Sequence, residues 1–255
     1  MMHQSDEFSQ DLAWMLISGQ VSDEILLEAL YQEFYTEVFR LSLASLDHHN
    51  LALRATQAAF TSAIVNRYRY KEDHPIRFWF LQISLETITK VYHSLDLKRT
   101  INANLPLKSE TNLFGDAIPA SYWDAEIWLT LDQLDFNKRL LALSLYNFQW
   151  SDKEIIAIFK MPAEDLNLNK RYLNSVLLPF RMEKSEYNNK SLEDRIVQSL
   201  ALRWPGSSLP DIDPELFIRQ VSQQIRLSRI KNRLSVSSKE IFLTALIILL
   251  SALSI

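Results

Sequence analysis

The chain has 255 residues with 27 basic and 31 acidic side chains, a formal net charge of −4, so a grip on duplex DNA must come from local cationic patches or from a partner that supplies most of the affinity. It contains no cysteine, which excludes disulfides, a thiolate zinc site and a cysteine nucleophile. Its three glycines (Gly19, Gly115, Gly206) lie too far apart for a phosphate loop or a dinucleotide fingerprint, and their scarcity favours helices.

The start of the chain is polar, with Asp6, Glu7 and Asp11, and does not read as a secretory signal. Residues 8–19 read as a short amphipathic helix on Phe8, Leu12, Met15 and Leu16, within an N-terminal extension of residues 1–22. From Asp23, Leu26, Leu30, Phe34, Val38, Leu41 and Ser45 recur at three or four residues, one face of a long helix. Asp47 to Asn50 breaks it. A second helix is expected from about Leu51 to Asn66 and a third from about Arg77 to Tyr92, so residues 23–96 form one helical module.

Between those two helices lies the run Asn66-Arg67-Tyr68-Arg69-Tyr70-Lys71. Cations contact phosphates and rings stack unpaired bases, so alternating them suits a single strand. The same residues also suit a helix end, where Arg and Lys complement the dipole and Tyr packs inward. Residues 97–121 carry Pro106, Gly115, Pro119 and many polar side chains, the composition of a linker.

A second module is expected over residues 122–184. A helical segment carries Leu131, Leu134, Leu141 and Leu145 on one face. The next opens at Ser151 with Glu154 three residues on, a capping box, and is expected to bury Ile155, Ile156 and Phe159. After Lys160-Met161, Pro162 sits where a first helical residue tolerates it, and Glu164 and Asp165 complement the positive helix end. Two helices joined by so short a turn make a helix-turn-helix, whose second helix can enter a major groove.

Leu134, Arg139, Leu145, Ser151-x-x-Glu154-Ile155 and Met161 together resemble the C-terminal promoter-reading module of the sigma-70 family, in its extracytoplasmic-function group. Upstream, Leu30-Tyr31 to Leu43, Ala52-x4-Gln57-x2-Phe60 and Trp79-Phe80-x2-Ile83 resemble, in the same order, the helices of that group's promoter-melting module. The resemblance covers about residues 23–180. It implies an all-α protein that binds core RNA polymerase and promoter DNA, with polymerase contacts at Gln57 and Phe60. It implies melting contacts at Arg67, Tyr68, Arg69, Tyr70, Lys71 and Trp79, which favours the DNA-facing reading of the 66–71 run. Major-groove contacts fall on Asn167, Asn169, Lys170 and Arg171.

Several positions depart from the family. Leu53 and Arg54 stand where an acidic pair is usual, and Leu85, Glu86 and His93 where basic residues or Asn are common. Lys160 stands at a usual glycine, and the reading helix begins with Glu164 and Asp165, whose charge repels phosphates within a screening length of about 8 Å. The alternative is therefore a sigma-like protein-interaction module that does not read DNA.

Ser191-Leu192-Glu193-Asp194 caps a further helix that ends by Trp204-Pro205-Gly206, and Asp213-Pro214 starts another with Phe217, Val221 and Ile225 on one face. These helices, within residues 185–238, read as a juxtamembrane unit. Residues 241–255 carry no charge and follow Arg226, Arg229, Lys231, Arg233 and Lys239, a flank that holds its side in the cytoplasm. Fifteen residues span about 22 Å as a helix, short of the ~30 Å hydrocarbon core. A short C-terminal anchor, a longer anchor cut here and a buried terminal helix are all open, and the basic flank favours an anchor over residues 239–255. The implied location is the cytoplasmic face of the bacterial inner membrane, with an anti-sigma or envelope-signalling protein as a further partner.

His48-His49 lacks a third metal ligand, and Asp211, Asp213 and Glu215 lack the glycine and closing Glu of a calcium loop. With no G-x-S-x-G or H-E-x-x-H, the sequence points to no enzyme, no metal and no cofactor.

Overall fold

The computed structural model describes residues 3–101, 122–177, 192–203 and 212–232. The linker from 102, the cap at Ser191, the Trp204-Pro205-Gly206 break, the apolar run 241–255 and the Phe8 side chain lie outside the described residues. Among those described, the fold is helical with no strand, and no helix is long and apolar enough to cross a membrane.

Helix α1 (His3–Ser18) ends at Gly19, whose φ of 63° is the left-handed conformation that glycine adopts without a Cβ penalty. Helix α2 (Asp23–Leu46) starts at Ser22, whose hydroxyl accepts from the Ile25 amide at 3.3 Å, with Asp23 and Glu24 in the first turn. It stops at Asp47, which turns left-handed (φ 49°) and donates its N–H to the Leu43 carbonyl at 2.8 Å. Helix α3 (His49–Val65) follows at once, with His48 Nδ1 as its cap acceptor at 3.4 Å. Helix α4 (Ile76–Ile101) starts behind Pro75 and runs past the expected end at Tyr92.

Helices α2, α3 and α4 form a bundle. All the residues of the expected α2 face, Leu26, Leu30, Phe34, Val38, Leu41 and Ser45, are buried. Phe80 of α4 meets Phe34 and Phe60, with ring centres 5.1 and 4.9 Å apart. Such offset and edge-on pairs add to the area that the rings remove from water.

The second bundle holds α5 (Tyr122–Gln133), α6 (Phe136–Ala142), a π-helical stretch (Leu143–Asn147), α7 (Asp152–Phe159), α8 (Ala163–Leu177) and α9 (Leu192–Arg203). The expected continuous helix through Leu131 and Leu145 is broken between α5 and α6. Asp135 accepts from the Lys138 amide at 3.0 Å and caps α6, a local side-chain bond that competes with helix propagation. In α7 the buried residues are Ile155 and Ile158; Ile156 and Phe159 are only half-buried. Packing against both α4 and α8 turns the eight-residue helix away from the single face expected. Trp128 of α5 donates from its indole to the Ser199 carbonyl of α9 at 3.1 Å.

The bundles touch directly. Arg77, at the start of α4, pairs with Glu37 of α2 and Glu154 of α7, both at 2.5 Å. Gln82 of α4 donates to the Ala157 carbonyl of α7 at 2.7 Å, and Arg139 to the Ser45 carbonyl at 2.7 Å. The Tyr92 and Phe136 rings stack at 3.9 Å. Arg203 of α9 pairs with Asp132 and with Asp47 at the end of α2. The last helix among the described residues, α10 (214–232), opens as expected at Asp213, whose carboxylate accepts from the Glu215 amide at 3.0 Å. It lies on α2 and α3.

Candidate functional site

The residues singled out by the sequence fall in three places. The first is α3. Phe60 is fully buried, pointing into the bundle between Phe80 and Phe217 of α10, the latter at 5.3 Å. Gln57 is 7% exposed because α10 covers it. A ladder of amides closes that contact. Thr61 donates to Gln224 at 3.1 Å, Gln224 to Gln57 at 3.4 Å, and Gln57 to Gln220 at 2.5 Å.

The second place is the turn after α3. Arg67 to Arg69 form one 3-10 turn, and Tyr70 caps it by donating its amide to the Arg67 carbonyl. Its residues split between two roles. Tyr70 is buried against Trp79, ring centres 5.3 Å apart, and its hydroxyl donates to the His74 carbonyl at 3.2 Å. Burial, and then the charges of Glu72 and Asp73, push the Tyr70 hydroxyl pKa up, so it stays neutral. Arg67 donates to the Val21 carbonyl and pairs with Asp23. Tyr68, by contrast, is 74% exposed, with the Arg69 guanidinium 5.7 Å from its ring, and Lys71 is exposed too. The residues open to a ligand here are thus Tyr68, Arg69 and Lys71.

An open cleft of about 560 Å³ runs from this turn along α4 to the end of α7. Arg69, Lys71, Lys90 and Lys160 line it, against Asp73 and Glu86. The sequence did not single out Lys90, and it marked Lys160 only as a departure from a usual glycine. Only the packing of α4 on α7 brings them together with Arg69 and Lys71.

The third place is the turn and helix α8. The capping box forms in full: Ser151 Oγ accepts from the Glu154 amide, and Glu154 accepts from the Ser151 amide at 2.8 Å. Burial opposes ionisation of Glu154, but the Ser151 bonds and the Arg77 guanidinium outweigh it and hold the carboxyl below its ordinary 4.5. Helix α7 ends on Lys160 in the left-handed conformation (φ 52°), where the family resemblance expects glycine. Three residues later α8 begins, and the Leu166 amide donates to the Pro162 carbonyl at 3.1 Å.

On α8, Asn167 and Arg171 are exposed beside Leu168 and Tyr172, which are 60% and 41% exposed. Asn169 bends back to the Asp165 carbonyl at 2.8 Å. Lys170 pairs with Asp152 of α7 and lines a separate hollow of about 370 Å³ with Asp194. The cationic lining of the first cleft therefore reaches Lys160 and does not continue to Lys170.

Among the described residues no group of His, Asp and Glu could hold a metal ion. Comparison of the chain with protein-family models, with curated proteins and with solved structures gives no match.

Proposed function

We propose that the chain is a sigma-like regulator of transcription initiation that binds core RNA polymerase and promoter DNA and is tethered to the membrane by its C-terminal apolar run. One observation carries this reading. Helix α7, the three residues from Lys160 to Pro162 and helix α8 follow one another with the short turn of a helix-turn-helix, and α8 presents Asn167 and Arg171 to solvent. Amides and guanidinium groups on an open helix are the side chains that read base edges. Tyr68, Arg69 and Lys71 supply a ring and two cations for an unpaired strand.

A second reading, a sigma-like module that binds proteins without reading DNA, is favoured by the division of the cations. Lys170 is tied to Asp152, Arg67 to Asp23, and α8 begins with exposed Glu164 and Asp165. The full chain in mild detergent, mixed with core RNA polymerase and a library of DNA fragments, separates the two. Enrichment of a shared sequence, lost on combining Arg69→Ala, Lys71→Ala and Arg171→Ala, supports the first reading. Polymerase binding without sequence enrichment supports the second, and binding to neither polymerase nor DNA removes both.

A further inference from the structure

Helix α10 covers the part of α3, at Gln57 and Phe60, where the family resemblance implies polymerase contacts, and its grip there differs from that of its neighbours. Twelve residues of α2 are buried, whereas α10 (214–232) buries only Phe217, Val221 and Ile225. Phe217 fills a hollow of rings, 5.1 Å from Tyr31, 5.1 Å from Tyr35 and 5.3 Å from Phe60. The rest is polar. The ladder of Thr61, Gln224, Gln57 and Gln220 zips the middle of the contact. Arg226 reaches Glu24 and Arg229 reaches Asp23, so two cations at the far end of α10 meet the acidic first turn of α2.

Neutral amide bonds and exposed ion pairs exchange readily with water or with another protein's polar groups, so they give register more than hold. The apolar hollow does not exchange with water: uncovered, Tyr31, Tyr35 and Phe60 would form an exposed aromatic patch that needs another occupant. A helix with one aromatic anchor, spaced amides and a basic end is a helix-in-groove ligand in chemistry, supplied here by the chain itself.

We infer that α10 and core RNA polymerase are alternative occupants of this face, so that α10 must leave before polymerase docks. The inference rests on the reading in the preceding section, and it adds that the described arrangement is the closed form. Only the fraction of molecules with α10 released is competent, which lowers the apparent affinity for polymerase by that fraction.

The absence of cysteine makes a direct test possible. Glu24→Cys with Arg226→Cys places two thiols at an exposed contact away from Gln57 and Phe60, and a cleavable bis-maleimide then locks α10 in place in the full chain. Locking should weaken binding to core RNA polymerase at least tenfold, and cleaving the linker should restore it. Conversely, Val221→Asp, which buries a charge under α10 and alters no residue of α2 or α3, should tighten binding at least tenfold, with helicity by circular dichroism confirming the bundle. Equal binding by locked and cleaved forms overturns the inference and leaves the sigma-like reading standing. Binding by no form, cleaved or uncut, overturns both. Should the Val221→Asp chain fail to fold, the locked and cleaved pair decides alone.

Discussion

The two bundles are held by different means. The first is a packing problem: rings from α2, α3, α4 and α10 interlock around Phe60, and their volume sets the geometry. The second is short of core for its number of helices. Helix α7 has eight residues and buries two, and its position depends on ends: the Ser151–Glu154 box, the left-handed Lys160 and the Arg77 bridge. Large-to-small changes should therefore break the first bundle, while changes of cap, charge and backbone conformation should act on the second.

The largest effect is expected from Phe60→Ala, which leaves a cavity between Phe80 and Phe217 and should cost about 3–5 kcal/mol in chemical denaturation. A loss under about 1 kcal/mol would mean that the aromatic cluster does not organise the first bundle. Next comes the bridge between the bundles. Arg77→Met removes two charge-assisted contacts and should cost about 2 kcal/mol.

Acid should act on the same bridge. The folded Glu154 pKa lies below its ordinary 4.5, so its contribution is complete above that value and is lost as pH falls through the depressed folded value. Stability measured from pH 6 down to pH 2 should fall less steeply in Arg77→Met than in the parent chain. Parallel acid limbs would show that Glu154 does not couple α7 to α4.

Ser151→Ala should cost about 1 kcal/mol and appear as faster amide exchange in α7, with α2 to α4 unchanged. The smallest effect has the opposite sign. Lys160→Gly relieves a side chain held at φ 52° and should stabilise by about 1 kcal/mol in thermal or denaturant unfolding. Destabilisation on that change would mean that the lysine stem packs usefully in the cleft.

What could be read from the sequence divides along the same line. Local signals came through: the spacing of Leu26 to Ser45 gave the buried face of α2, Ser151-x-x-Glu154 gave the capping box, and Asp213-Pro214 gave the start of α10 with Phe217, Val221 and Ile225 inward. The Asp135 break was missed because a cap aspartate in an apolar pattern looks like an exposed helical residue. The contacts that shape the candidate site join residues far apart in the chain. Gln57 meets Gln220, and Arg77 meets Glu154, and no periodicity encodes which helix lies across which. The same holds for Tyr70 and Trp79: alternation of rings and cations cannot say which ring faces in.

The π-helical stretch from Leu143 to Asn147 acts as a phase shifter. Its amides bond one residue further back than in an α-helix, as in the Phe148 amide to the Leu143 carbonyl at 3.0 Å. One extra residue is thereby absorbed without a loop, and the direction in which the chain leaves toward Trp150 and α7 is rotated by about 100°. Deleting a single residue there would return the stretch to α-helix and swing the whole turn-and-α8 unit around its axis. Asn167 and Arg171 would then face a different direction with every side chain unchanged. The direction in which α8 points is thus written in a residue count as much as in residue identity.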